Sequence, residues 1–113
     1  MYEYSAKCIR VVDGDTLDCD IDLGFDITIR ERVRFHGINA PESRTRDLEE
    51  KKRGLAAKAR VIEVMKENET FVLRTKYDRL GKYGRVIGDI ILENGDCLND
   101  VLVEEGHAVR KNY

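Results

Sequence analysis

Alternating hydrophobic and polar residues mark the first third of the chain as β-structure. In Thr16–Asp22 every second residue is apolar and the residues between them are aspartates. This two-residue period is typical of a strand with one buried and one wet face, which explains the aspartate row better than a cation site does. Strand-forming residues also fill Tyr4–Val12 and Ile27–Phe35. We therefore predict three antiparallel strands with turns at Asp13–Asp15 and Leu23–Asp26.

A period close to 3.6 residues follows between Leu48 and Glu67 and predicts the main amphipathic helix, beginning near Asp47. The apolar residues at helical spacing, which would form its core face, are Leu48, Leu55, Ala59, Ile62 and Met65. Gly54 inside this helix marks either close packing or the true helix start. Before the helix, Pro41 cannot donate to a sheet ladder, so we expect it to end the third strand.

The second half of the chain predicts two more strands and a short helix. The strands are Thr70–Thr75 and Arg85–Leu92, joined by a polar loop that contains two glycines. Asn94–Gly95 is a strong signal for a tight turn. Asn99 is then expected to cap a short helix, Asp100–Glu105, which stops at a glycine.

Three strands, a helix, two strands and a short helix are the order expected of a small closed barrel of the oligonucleotide/oligosaccharide-binding (OB) type. We predict a mainly β, α+β fold: a five-stranded Greek-key OB barrel with one main helix after strand 3 and a short helix near the carboxyl end. A length of 113 residues suits one domain spanning residues 1–113.

The composition and charge of the chain limit its expected location and ligands. The formal charge is -2, so phosphate binding would need a local cluster of arginines. No apolar run reaches about 18 residues, and the first residues lack the features of a secretory signal, so we expect a cytoplasmic protein that does not enter a membrane. We expect a monomer, with self-association as the alternative. Cys8, Cys19 and Cys97 lack the spacing of a metal site and are expected to be reduced core thiols.

Two acidic stretches would meet if the second and third strands form a hairpin. The first is Asp13-Gly14-Asp15, and the second ends at Glu42. Asp15, the side-chain carbonyl of Asn39 and the backbone oxygen of Ala40 would then offer part of a calcium shell, with Asp13 on the same side of the turn. The alternative is that Asp-Gly-Asp is only a hairpin turn.

Glu42 and two arginines add the groups that phosphodiester hydrolysis requires. A carboxylate such as Glu42 can take a proton from the attacking water. Arg34 and Arg85 can hold phosphate oxygens while negative charge develops, since guanidinium presents a planar fork of donors. Taken singly, each arginine is better explained by a surface ion pair, and only the combination with the two acidic motifs favours phosphate binding.

The chain resembles the staphylococcal nuclease (thermonuclease) family over nearly its whole length. The motifs that carry the resemblance, in the family's order and with near-identical spacing, are Val12–Thr16, Arg34 with Gly37–Glu42, Lys82–Arg85, and Leu98–Asn99 with Leu102–Gly106. The resemblance implies a calcium-dependent endonuclease, a phosphodiesterase on an OB barrel that cuts DNA and RNA at the 5' side of the phosphodiester and leaves 3'-phosphate ends.

The resemblance also implies a role for each matching residue. Asp15 would ligate calcium, with Asp13 and the Thr16 hydroxyl supporting it. Glu42 would be the general base, and Arg34 and Arg85 would bind phosphate. The substrate-binding residues would be Lys82, Tyr83 and, out of register with the family's second pocket tyrosine, Tyr113.

Two departures from the family pattern change the expectations. Asn39 stands where the family usually places an aspartate, so calcium affinity should fall, and manganese and magnesium become alternatives. The chain also stops at Tyr113, where the best-known members continue through a further helix. The competing interpretations are a non-catalytic OB-type module that binds nucleic acid or protein, and a small structural domain. The joint presence of Arg34, Glu42 and Arg85 favours the nuclease over the binding module, and the matched spacing of the motifs argues against the structural domain.

Overall fold

The computed structural model of the protein describes residues 2–77 and 86–111. In chain order the elements are β1 (Tyr2–Asp13), β2 (Thr16–Asp22), β3 (Thr28–Phe35), β4 (Ile38–Asn39), α1 (Leu48–Glu67), β5 (Thr70–Tyr77), β6 (Val86–Ile91), α2 (Leu98–Glu104) and β7 (Val109–Arg110). No helix within these residues is both long and apolar enough to span a bilayer.

Five strands of the described chain close into a barrel in the order β1-β2-β3-β6-β5. β1 pairs antiparallel with β2 and with β5, and β2 pairs antiparallel with β3. The barrel is completed by a short parallel contact between β3 and β6, from Val33↔Val86 to Phe35↔Gly88. This is the predicted OB-type α+β architecture, and a closed barrel leaves few unpaired strand edges.

The barrel interior holds the predicted inward residues of β2. Leu17 and Cys19 are fully buried and Ile21 is 3% exposed, whereas the aspartates between them face outward. The largest fully buried hydrophobic side chains are Phe35, Leu17, Ile38, Leu73, Ile90, Leu98 and Leu102. Burying each of them contributes roughly 1.5–3 kcal/mol to the stability of the fold.

The bounds predicted for α1 are confirmed, but its predicted core face is wrong. The Asp47 carboxylate caps the helix by accepting from the backbone of Glu49 (3.0 Å) and Glu50 (3.3 Å). The buried residues are Gly54, Ala57, Val61, Val64 and Met65. Of the predicted face only Met65 is buried; Leu48, Leu55, Ala59 and Ile62 are exposed. The helix packs through small residues because its backbone lies close to the acidic turn. The prediction from the sequence looks for large apolar residues at helical spacing, and most of those residues lie on the exposed face of the helix.

Asn99 does not cap α2, because the helix begins at Leu98, two residues before the predicted start, with Cys97 at the N-cap. Asn99 is instead 1% exposed, and its side chain makes hydrogen bonds inside the protein. Oδ1 accepts from Ile90 N (3.1 Å), and Nδ2 donates to the His36 carbonyl (2.9 Å). Buried amides need such partners, and here backbone groups supply them. Gly106 follows the end of α2 with φ +81°, as the sequence predicts.

The third strand ends at Phe35, so the prediction that Pro41 ends it is wrong. A turn with Gly37 at φ +75° follows, and the two-residue strand β4 then pairs with β7. Two-residue strands have no readable period, so neither could be predicted from alternation.

Candidate active site

The hairpin of β2 and β3 brings the two acidic stretches together, as predicted. Thr16 pairs with Arg34 across the hairpin, and Phe35 N donates to the backbone oxygen of Asp15 at 2.8 Å. The acidic turn and the start of the Arg34–Glu42 stretch are therefore side by side.

Asp15 lies at the centre of this junction, with its side chain only 11% exposed. Its Oδ2 accepts from Ala40 N at 2.9 Å, and its Oδ1 accepts from the Thr16 hydroxyl at 2.9 Å. Arg34 Nη1 lies 3.3 Å from Oδ2 and forms an ion pair with it. A largely buried carboxylate needs this many partners, and they fix the positions of both its oxygens.

Arg34 connects Asp15 with Asn39. Its Nη2 donates to Asn39 Oδ1 at 3.1 Å, while Nη1 also donates to the backbone oxygens of Phe35 (3.3 Å) and Asp15 (3.4 Å). One guanidinium thus has the carboxylate of Asp15 and the amide oxygen of Asn39 as neighbours. The two oxygens predicted as metal ligands lie around the same small volume.

The donor set at this junction suits a hard cation. Asp15 and Asn39 offer oxygen atoms alone, and hard cations such as calcium prefer carboxylate and carbonyl oxygens. The formal charge they supply is low, because only one of the two is a carboxylate. Within residues 2–77 and 86–111 no cluster of three or more His, Cys, Asp or Glu could hold a metal. The residues fit a cation that takes most of its ligands from water, backbone and substrate.

Asp13 faces the segment that carries Glu42. Its Oδ1 accepts from the Ser43 hydroxyl at 2.5 Å and from Ser43 N at 3.3 Å. The Glu42 side chain is exposed at the surface beside this anchor. Asp13 therefore ties the acidic turn to the residue next to the predicted base.

Two glycines allow the close approach on which this arrangement depends. A Cβ atom on Gly14 would lie 2.6 Å from Ala57 Cβ and 3.0 Å from Ala40 Cβ. A Cβ atom on Gly54 would overlap the Glu42 carbonyl and come within 2.7 Å of Ser43 N. The acidic turn and the Glu42 segment are thus both packed directly on α1.

Sequence reasoning missed two of these supporting residues, Ser43 and Ala57. The only signal for them is weak: a serine directly after Glu42, and a glycine and an alanine three residues apart on one helix face. The close-packing interpretation of Gly54 is confirmed. Free thiols are also confirmed for the cysteines, with Cys19 buried and Cys8 and Cys97 partly buried.

Four predicted site residues, Lys82, Tyr83, Arg85 and Tyr113, lie outside the described residues. Val86, the described residue that follows Arg85 in the chain, pairs with Val33 next to Arg34 in β3.

Comparison with known proteins gives two matches. Endonuclease YhcR of Bacillus subtilis (strain 168) is 29% identical over 111 residues, covering 94% of this chain. The chain spans about 9% of the length of that relative. The family model described as "Staphylococcal nuclease homologue" matches residues 32–113, which is more than half of the chain. The chain belongs to the family of staphylococcal nuclease homologues.

Proposed function

We propose that this chain is a calcium-dependent nuclease that hydrolyses phosphodiester bonds of DNA, RNA or both. The observation that carries the proposal is the position of Arg34, which lies within 3.3 Å of Asp15 Oδ2 and 3.1 Å of Asn39 Oδ1. A phosphate-binding cation and two candidate metal ligands therefore share one small volume. Membership of a nuclease family, and similarity to a protein named an endonuclease, support a nucleic-acid substrate.

In this proposal Asp15, the Asn39 side-chain oxygen and the Ala40 backbone oxygen would hold the calcium ion. Bound calcium supplies Lewis-acid polarisation of the phosphate. The Asp15 carboxylate is already oriented by Ala40 N and the Thr16 hydroxyl. Arg34, which contacts Asp15 Oδ2 and Asn39 Oδ1, would shift from these oxygens toward the phosphate when the ion binds. Because Asn39 adds no charge, manganese and magnesium remain alternative ions.

Glu42 would remove the proton from the attacking water. Its segment is held by Asp13 through Ser43 and by the packing of Gly54, so the exposed carboxylate extends from a fixed backbone. Arg34 would bind phosphate oxygens as charge develops on them. Arg85 would act from the other side of the phosphate, and Lys82, Tyr83 and Tyr113 would contact the nucleotide.

The test is cleavage of single-stranded DNA during separate titrations of calcium, manganese and magnesium. Glu42→Gln is compared with the parent protein, and Glu67→Gln, an exposed change at the far end of α1, is the control. We expect cleavage by the parent and the control with at least one ion, and a loss of 10²-fold or more in Glu42→Gln. If no ion supports cleavage above the Glu42→Gln level, the catalytic proposal is wrong.

The second candidate function is a non-catalytic OB-type module that binds nucleic acid or protein. It is favoured by one observation: of the two side chains bridged by Arg34, only Asp15 carries charge. Binding of DNA without cleavage, at any concentration of the three ions, would support this alternative.

A further inference from the structure

A row of three arginines runs along β3 from the candidate active site. Arg30, Arg32 and Arg34 occupy alternate positions and so share the outer face of the strand. Successive members are about 6.7 Å apart along the strand, since each residue advances about 3.3 Å. The side chains are 64%, 49% and 11% exposed in that order. Arg34, at the candidate active site, is therefore largely buried, whereas Arg32 and Arg30, farther along the strand, are open to solvent.

The two outer arginines are held in fixed orientations by aspartates of β2. Arg30 donates from Nε (2.8 Å) and Nη2 (3.2 Å) to Asp20. Arg32 donates to Asp18 with the same atoms at the same distances. Each pair uses two of the five N–H groups of the guanidinium, which leaves donors for an anion. Exposed cross-strand pairs of this kind contribute only about 0.2–1 kcal/mol each, so they do not prevent the two guanidinium groups from also binding an anion.

Strand β1 adds further positive charge to the same face. Lys7 is opposite Asp20 and Arg10 is opposite Asp18 in the pairing of β1 with β2. Each aspartate thus lies between cations from two neighbouring strands. Four cations, Lys7, Arg10, Arg30 and Arg32, thus alternate with three carboxylates, Asp18, Asp20 and Asp22. The strands carry an excess of one positive charge on this face before Asp26 of the turn is counted, in a chain whose net charge is -2.

The hairpin tip at the far end presents an aromatic ring to solvent. Phe25 is 96% exposed, with Leu23 and Ile27 at 40% and 51% on either side. Phe25 and Asp26 have φ of 55° and 61°, a region that non-glycine residues rarely adopt. The turn is held by hydrogen bonds of 2.9 Å between Leu23 and Ile27 and between Ile27 and Gly24. Packing does not explain the exposed ring, and strained backbone is often kept where a side chain has a function.

We propose that the outer face of the β2–β3 hairpin is a track for single-stranded nucleic acid that extends from the active site. Phosphates beyond the reacting one bind Arg32 and then Arg30, and a base stacks on Phe25. The track rests on the proposed function, because it begins at the phosphate that Arg34 would hold. β3 covers about 20 Å between Arg34 and Thr28, which is the length of a few nucleotides.

The chemistry of this face favours a single strand over a duplex. A flat row of cations with an aromatic ring at its end matches a backbone whose bases are unpaired, because an unpaired base exposes its face for stacking. OB barrels also bind oligonucleotides on the faces of their second and third strands.

The test measures binding of labelled single-stranded DNA to the full chain by fluorescence anisotropy, in a chelator so that no cleavage occurs. A dinucleotide, which reaches only the active site, is compared with a dodecamer, and a duplex dodecamer is measured in parallel. The variants are Arg30→Gln with Arg32→Gln, and separately Phe25→Ala. The control is Arg60→Gln, because Arg60 makes the same kind of two-point ion pair with Glu105 on the helical side of the molecule.

In the parent and the control we expect the single-stranded dodecamer to bind at least tenfold more tightly than the dinucleotide. In both track variants the preference for the dodecamer over the dinucleotide should largely disappear. Phe25→Ala should bind the single-stranded dodecamer about tenfold more weakly than the parent. The double arginine variant should also lower the slope of log affinity against log salt by about 1.4, since each phosphate contact with a single strand contributes about 0.7.

Three results would overturn the proposal. Track variants that bind the dodecamer as tightly as Arg60→Gln would refute the track, while cleavage by the parent would leave the proposed function standing. Equal losses for duplex and single strand would refute the single-strand assignment. A parent that neither binds nor cuts any nucleic acid would refute both proposals.

Discussion

The backbone of Gly54 in α1 lies directly against the peptide group that joins Glu42 to Ser43. The helix and the Glu42–Ser43 segment meet there without an intervening side chain, since a Cβ atom on Gly54 would come within 2.7 Å of Ser43 N. The helix therefore serves as the support for the segment that carries the proposed base.

Gly54→Ala should be destabilising although alanine is the better helix former. An alanine in a helix interior normally gains about 1 kcal/mol over glycine, but here the methyl group overlaps backbone, and overpacking of this kind costs roughly 1–3 kcal/mol. We expect a net loss of up to about 2 kcal/mol in the free energy of unfolding, measured with urea. Ala59→Gly on the exposed face of α1 is the control, at about 1 kcal/mol from helix propensity alone. A Gly54→Ala protein more stable than the parent would contradict the packing described here.

Asn39→Asp should tighten calcium binding. It adds a second carboxylate beside Asp15, and Asn39 Oδ1 and Asp15 Oδ2 both lie within 3.3 Å of the same guanidinium. Calorimetry should show an affinity for calcium at least tenfold higher than that of the parent. Asn68→Asp, at the end of α1, is the matched control and should leave the affinity unchanged. Unchanged or weaker binding in Asn39→Asp would remove this residue from the proposed ligands.

Asn99→Ala should be strongly destabilising. The change removes a buried side chain that bonds to the backbone of Ile90 and His36, and it leaves those groups without their partner. We expect a loss of roughly 2–4 kcal/mol in chemical unfolding. Asn94→Ala, in the exposed turn, should cost less than about 1 kcal/mol. Equal losses of stability in the two variants would show that the buried hydrogen bonds of Asn99 add little to the free energy of unfolding.

The thiols should react slowly with alkylating reagents in the folded protein. Burial raises the pKa of Cys19 to about 12 and also raises the pKa of Cys8 and Cys97 above the usual thiol value. The thiolate is the reactive form, so little of it exists at pH 7.5. Mass spectrometry after iodoacetamide treatment should find Cys19 unmodified in the native state and all three cysteines modified in urea. Rapid native labelling of Cys19 would contradict its burial.

The ion pair of Arg32 with Asp18 should persist into mildly acidic solution. The hydrogen bond from Arg32 lowers the pKa of Asp18 in the folded state below its usual value. Its contribution to stability is therefore fully present above the unfolded pKa of about 3.9 and is lost as pH falls through the folded pKa. NMR titration of the Asp18 carboxyl carbon should give a midpoint below that of Asp18 in the Arg32→Gln variant. Identical midpoints would show that the pair does not form in solution.

The order of the main elements along the chain and the hairpin could be predicted because both depend on patterns that extend over many residues. The alternation in β2 fixes which face is buried, and a shift of one residue would expose Leu17, Cys19 and Ile21. The bounds of α1 were predictable for the same reason. The helical spacing of apolar residues repeats over 20 residues, so one residue that departs from it does not change the predicted bounds.

The core face of α1 and the role of Asn99 could not be predicted because each depends on a contact distant in sequence. Gly54 and Ala57 are buried because the acidic turn lies against them, and a count of apolar residues gives small side chains little weight. Asn99 is suited to a cap by residue type alone. It bonds instead to Ile90 and His36, which lie 9 and 63 residues away in sequence.

Asn99 also links parts of the molecule that would otherwise open separately. Its amide joins α2 to β6 through Ile90 N, the Gly88 carbonyl and Asp89 Oδ1, and to the turn after β3 through the His36 carbonyl. That turn leads directly into Asn39 and Ala40. Local opening of α2 would therefore loosen the turn, which would keep its bond from His36 N to the Gly88 carbonyl, and amide protons of the two segments should exchange with solvent in a correlated way. In that case, thermal fluctuations of α2 would influence how long the segment with the proposed metal ligands remains assembled.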